Sequence, residues 1–256
     1  MRVAFATLTV LPVGRARWDR ATARGGLVCA PLAGLVLGLV AGACLWIFVT
    51  LDTGPLLAAV LALATLAVLS RGLHLDGLAD VADGFGSARP AAGALEVMKR
   101  SDIGPFGVLA LVLNLLIQAA ALTELAARGR GLAAVGVVLA ALVSRAALTW
   151  SCRRGVPAAR SEGLGAAVAE TVPVGTAVAV AAAVAAFAAG AVAYADEPAG
   201  AGAVVGVCSV VLALSGVELL LRRCHHRFGG VTGDVLGAAA ETAAAVTLLV
   251  LVVGTG

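Results

Sequence analysis

Charge is scarce in this chain of 256 residues: Asp, Glu, Lys and Arg make up 13%, against 61% hydrophobic residues and a mean hydropathy of +1.03. Soluble domains carry roughly 25% charged and about 45–50% apolar residues, so a soluble globular class is excluded. Cysteine pairing is absent as well. The five cysteines (Cys29, Cys44, Cys152, Cys208 and Cys224) are odd in number, and no two have zinc or dithiol spacing. Neither a disulfide framework nor a zinc site is expected. A cleavable leader is not expected either. The apolar start, residues 1–14, is followed rather than preceded by most of its charge (Arg15, Arg17, Arg20, Arg24), with no convincing Ala-x-Ala site. Residues 1–26 are expected to remain as an interfacial cytoplasmic segment. What is left is an all-α polytopic membrane bundle folded as one domain.

A helix needs about 20 mostly apolar residues to cross the hydrocarbon core. Such runs fall at 27–51, 55–70, 105–127, 132–152, 174–195, 199–221 and 235–253, predicting seven spans. The second is short and is expected either to be tilted little or to end inside a protein-lined cavity. Short connections (Asp52-Thr53-Gly54, Arg128–Gly131, Asp196-Glu197-Pro198) alternate with longer basic ones (71–104, 153–173, 222–234). Of the 18 Lys and Arg residues, fifteen lie in the N-terminal segment and longer connections, two in the short ones, and Arg145 within a span. The positive-inside rule places the N-terminus and longer loops in the cytoplasm, and an odd number of spans sends the C-terminus outward. No nucleic-acid partner is expected.

Against this background three polar constellations stand out. Asp76, Asp80 and Asp83 are spaced by four and three, which sets them on one face of a helix. Close carboxylates repel unless a cation or shared protons offset them, so they are candidate Mg2+ ligands. His74 precedes them and is positioned to hold one by a hydrogen bond. The second constellation, Glu96–Gly107, offers Lys99 and Arg100 to a phosphate and Ser101 as a helix cap or anion contact. Basic anchoring in the headgroups is the plain alternative. The third, Arg222–Asp234, joins a basic run to a Gly-rich turn. There Thr232 and Gly233 are candidate substrate contacts, and Asp234 a fourth ligand or a base. The adjacent His225 and His226 point about 100° apart on a helix and read as part of a basic patch. Arg145 within its span is a further candidate phosphate contact, while Glu218 and Glu241 call for buried partners. Asn114 and Gln118, one turn apart, suit hydrogen bonds between helices.

At these residues the sequence resembles the cobalamin synthase family, the adenosylcobinamide-GDP ribazoletransferases. Gly72-Leu73-His74-Leu75-Asp76-Gly77-Leu78-Ala79-Asp80 with Asp83-Gly84 matches its signature. Leu8–Val13, Glu162-Gly163-Leu164-Gly165 and Gly229–Ala238 match in order and spacing over the rest of the chain. The resemblance implies a Mg2+-dependent inner-membrane enzyme. Members transfer the cobinamide phosphate from adenosylcobinamide-GDP to a ribose hydroxyl of α-ribazole or its 5′-phosphate, releasing GMP. It leaves room for a homo-oligomer or association with other cobalamin-assembly enzymes. One departure concerns Lys99-Arg100-Ser101-Asp102, where the family often has base-Asp-Ser-Arg; Asp102 is at best a shifted substitute for that acid.

Two other classes fit parts of the pattern. CDP-alcohol phosphotransferases and membrane prenyltransferases also use Asp-rich loops, and Asp80–Gly84 echoes the former, but their downstream aspartates are missing. A cation-coupled transporter would place acids within the spans and show an inverted repeat, and none is evident.

Overall fold

A computed structural model describes residues 1–13, 19–195 and 201–256. The predicted short connection at Asp196-Glu197-Pro198, the first two residues of the sixth predicted span, and Arg15 and Arg17 lie outside the described residues. Among the described residues the chain is helical throughout, without strands. Two short helices, α1 (Arg2–Leu8) and α2 (Arg20–Val28), precede α3 (Ala30–Thr50) and α4 (Pro55–Leu69). Then come α5 (Leu73–Gly86), α6 (Ala91–Val97), α7 (Pro105–Arg128), α8 (Arg130–Ser151) and α9 (Gly163–Val168). The chain ends in α10 (Val174–Ala195), α11 (Gly202–Phe228) and α12 (Gly233–Gly254).

Among the described residues six helices are long and apolar enough to cross a membrane: α3, α7, α8, α10, α11 and α12. The pair α4–α5 makes a seventh apolar unit, bent by 91°. The short second span of the sequence reading is therefore α4, and it stops where Arg71 and Gly72 both adopt left-handed backbone (φ 59° and 65°). Glycine takes that conformation freely, whereas Arg71 pays for it. Its guanidinium reaches back to the carbonyl of Thr7 at 2.9 Å, which ties the bend to α1. Beyond the bend, α5 leaves the span and lies across the N-terminal ends of α7 and α12.

The centre of the bundle is α8, 83% buried over its apolar stretch, against 28% for α7. Three glycines four apart on α3 (Gly34, Gly38, Gly42) let its backbone meet Ala141, Val138 and Ala134 of α8, and a Cβ at any of them would collide. Small residues at this spacing replace the hydrophobic effect as the glue between helices in lipid. On α7, by contrast, Val108, Leu109, Val112, Leu113, Leu116 and Ile117 are exposed, as a lipid-facing side requires.

Two acids inside the bundle find partners. Asn114 and Gln118 each donate 2.9 Å hydrogen bonds to one oxygen of Glu241. Glu218 accepts from Arg153 (2.6 Å), Arg222 (3.2 Å) and the Trp150 indole (3.2 Å), and the Arg153 guanidinium lies 4.5 Å from the Trp150 ring centroid. At the α5 end of the bundle, the segment after α8 clamps the turn before α12. Ala159 donates to the Val231 carbonyl (2.9 Å), and Val231 donates to that of Pro157 (2.8 Å).

Candidate active site

The site begins with a close helix crossing. A Cβ on Gly77 of α5 would sit 2.6 Å from the Asp234 carbonyl oxygen and 3.1 Å from the Gly237 Cα. One on Gly237 would sit 3.0 Å from the His74 carbonyl oxygen. With no side chains in the way, the first turn of α12 lies directly on α5, and Asp234 comes to the acids of α5. Thr232 caps α12: its hydroxyl accepts from the Val235 amide (3.2 Å) and donates to Asp234 Oδ2 (3.1 Å), orienting that carboxylate.

The three acids of α5 share a face, as their spacing predicts, but not an environment. Asp76 is exposed, Asp80 half-buried and Asp83 buried. Burial, then the charges of Asp234, Asp76 and Asp83 in that order, push the Asp80 carboxyl up from 3.8 to about 7, and Arg160 opposes them. Asp83, further along that face, meets a different helix. Its oxygens accept the backbone amides of Gly104 (2.7 Å) and Gly107 (2.9 Å), so it caps the N-terminus of α7 from a neighbouring helix.

This divides the expected four-acid metal set. Among the described residues no three His, Cys, Asp or Glu side chains are gathered into a cage for one metal ion. Asp76, Asp80 and Asp234 belong together, whereas Asp83 is committed to amides. The donor chemistry still fits Mg2+, which takes one or two carboxylates and completes its shell with water and substrate phosphates. Burial first and the neighbouring carboxylates second raise the Asp80 carboxyl, and a divalent cation would offset the second of these.

Asp83→Ala is expected to lower stability by about 2–3 kcal/mol, since two amides at a helix N-terminus lose a charged acceptor. A denaturation series would measure it. A stability equal to wild type would contradict the capping role.

Other expected site residues are redistributed. Ser101 is exposed and caps nothing; α7 begins after Gly104, and Asp83 has taken the capping position. Lys99 pairs with Glu96 (3.0 Å) on the surface. Arg100 approaches Asp102 (3.7 Å) and lines a 240 Å³ recess with Asp83, Arg89 and Gly104, at the far end of α5 from Asp76. Arg145 is a buried core group rather than a surface phosphate contact. It bonds Ser144 (3.1 Å) and lines an internal 40 Å³ cavity with Glu241 and Gln118. His225 and His226 are exposed, as a basic patch requires.

Two cavities meet at Asp234. One of 450 Å³ lies among α1, α2, α5 and α12, with Arg71, His74, Asp76, Gly233 and Asp234 in its walls. The other, 150 Å³, is bounded by Arg160, Glu162, Gly163, Gly165, Thr232, Gly233 and Asp234. A Cβ on Gly165 would lie 2.6 Å from the Val231 carbonyl oxygen, so glycine is required where α9 meets this turn. His74 is 3% exposed, and neither ring nitrogen has a hydrogen-bond partner. Burial first, then the Arg145 charge, hold it well below the ordinary histidine range, so it is neutral at pH 7.

Arg160 is the residue that sequence reasoning missed. It bonds the Leu95 carbonyl, leaves its Nε buried without a partner, and acts on both Asp80 and Asp234. It stands in a loop without periodicity; the one sequence signal was its place two residues before Glu162-Gly163-Leu164-Gly165.

Comparison with known proteins covers the whole of this architecture. Residues 1–252 match the family described as CobS, cobalamin-5-phosphate synthase. A protein of Frankia casuarinae named adenosylcobinamide-GDP ribazoletransferase is 42% identical over 98% of this chain and 93% of its own length. Proteins of the same name from a Nocardioides species (43%; 97% and 96%) and Bradyrhizobium diazoefficiens (38%; 98% and 92%) are also similar. No solved structure matches.

Proposed function

The chain belongs to the cobalamin-5-phosphate synthase family, and we propose from that premise that it joins adenosylcobinamide-GDP to α-ribazole or its 5′-phosphate at the acids of α5 and α12. The observation that carries the site is the meeting of Asp76, Asp80 and Asp234 beside Arg160, at the junction of two cavities. In the reaction a ribose hydroxyl oxygen bonds to the cobinamide phosphorus, the P–O bond to GMP breaks, and the hydroxyl proton passes to a base. Asp234, oriented by Thr232 and bordering both cavities, takes that proton. Asp76 and Asp80 would hold Mg2+, which when bound neutralises charge on the diphosphate. Arg160 and the α9 and α12 backbone face the departing phosphate. Asp83 and Arg145 act at one remove, by fixing α7 and balancing Glu241.

The polar end of the bundle is assigned to the cytoplasm of a cell inner membrane. Support comes from the basic connections gathered at that end and the alternation of the seven crossings. Reconstituted protein given both substrates is expected to release GMP stoichiometrically with product. GMP release only from a CDP-alcohol or prenyl diphosphate partner, or none at all, would overturn the assignment.

Proton and metal compete for Asp80. Below about pH 7 it is protonated in the metal-free protein, so Mg2+ affinity is expected to rise from pH 6 to pH 8 and then level off. The Mg2+ dependence of GMP release at several pH values checks this, and a pH-independent affinity would exclude Asp80 as ligand.

A further inference from the structure

We propose that the 450 Å³ cavity is the binding site for the heteroaromatic base of the acceptor nucleoside, an inference that rests on the transferase reading above. Beyond its polar end the walls are aliphatic: Val3 and Leu8 of α1, Leu27 of α2, Leu148 of α8, and Val168 and Leu236. Such a cavity favours a flat apolar ring system and penalises polar arms that would find no partner. The base of α-ribazole, a benzimidazole, is of the first kind. The corrinoid, ringed by amides, is of the second and is also far too large for this space. With the base against α1 and α2, the ribose comes to Asp76 and Asp234, where its hydroxyl must react.

His74 stands in the wall where the aliphatic part meets the acids. Both its ring nitrogens lack protein partners, although it is almost wholly buried. A buried imidazole without a hydrogen bond is costly, and a nucleoside nitrogen or hydroxyl reached by a small turn of the ring would satisfy it. The depth of the cavity is set by α1, which rests on α2 at Gly26; a Cβ there would lie 2.8 Å from Val3 Cγ1. On this assignment the activated corrinoid approaches from the other side of Asp234, past Arg160.

The experiment uses full-length protein in liposomes, varying α-ribazole and adenosylcobinamide-GDP separately, with equilibrium dialysis of α-ribazole alone beside it. Ala6→Phe, which projects a ring into the cavity from α1, is expected to raise KM for α-ribazole about tenfold. The KM for adenosylcobinamide-GDP should stay within about twofold, since that substrate does not enter the cavity. Leu27→Ala, which enlarges the cavity, is expected to weaken α-ribazole binding by the same route. His74→Ala should raise the same KM, and His74→Gln should restore part of the loss. Effects confined to adenosylcobinamide-GDP, or unchanged α-ribazole binding in both Ala6→Phe and Leu27→Ala, would overturn the proposal. So would a bilayer lipid retained by the wild type that α-ribazole does not displace. If the wild type transfers nothing, the transferase reading fails, and dialysis against Ala6→Phe still decides whether the cavity binds this nucleoside.

Discussion

Asp80→Asn is expected to cut GMP release on the order of a thousandfold or more, while making the metal-free protein more stable at pH 8. The opposed signs follow from one cause. Burial first, then the charges of Asp234, Asp76 and Asp83, raise the Asp80 carboxyl to about 7. A carboxyl with a folded value above its unfolded one binds more protons when folded, so stability falls as pH climbs from about 4 to 7. Asparagine keeps the shape and removes that burden. It also removes a proposed ligand from a site with few to spare. Asp80→Glu, which restores the charge one methylene further out, should keep the pH-dependent instability and regain little activity. Thermal unfolding of the metal-free protein and GMP release, measured on one preparation, test both halves. Loss of stability along with activity would make Asp80 a structural residue.

Gly77→Val is the second large expectation. Even the Cβ would press to 2.6 Å from the Asp234 carbonyl oxygen, and valine adds two methyls in the crossing between α5 and α12. The helices must part, carrying Asp234 away from Asp76 and Asp80. Misplacing reacting groups by about 1 Å costs roughly a hundredfold in rate, so at least that loss is expected. Gly216→Ala on α11 is the matched control. Its Cβ would meet Val246 at 3.6 Å, an ordinary contact, and activity should match wild type. Equal activity in the two variants would show that the close approach of α5 and α12 does not build the site.

Much of this was legible in the residues. Hydropathy located the crossings because lipid demands long apolar helices; the 55–70 run reads only as a short span, and the bend after it is visible in the fold alone. The spacing of Asp76, Asp80 and Asp83 gave their common face. Spacing says nothing of what a face meets along its length. The Asp76 end meets α12 and the Asp83 end meets α7, so Asp83 became a cap. Ser101 failed for the complementary reason. Locally it looks like an N-cap, but a carboxylate from another helix already fills that place. Arg145 lies near the active end in sequence terms, yet the bundle turns it inward to Glu241. Arg160 was invisible because loops carry no period, and only the fold brings it to Asp80.

We place the proposed metal where α5 meets α12 rather than where α5 meets α7. Binding of Mn2+, as a paramagnetic stand-in for Mg2+, can be followed by electron spin resonance in the wild type, Asp80→Asn and Asp83→Asn. The wild type and Asp83→Asn should bind the ion alike, although the latter is less stable, and Asp80→Asn should lose it. Retention of the ion in Asp80→Asn with its loss from a folded Asp83→Asn would contradict the account.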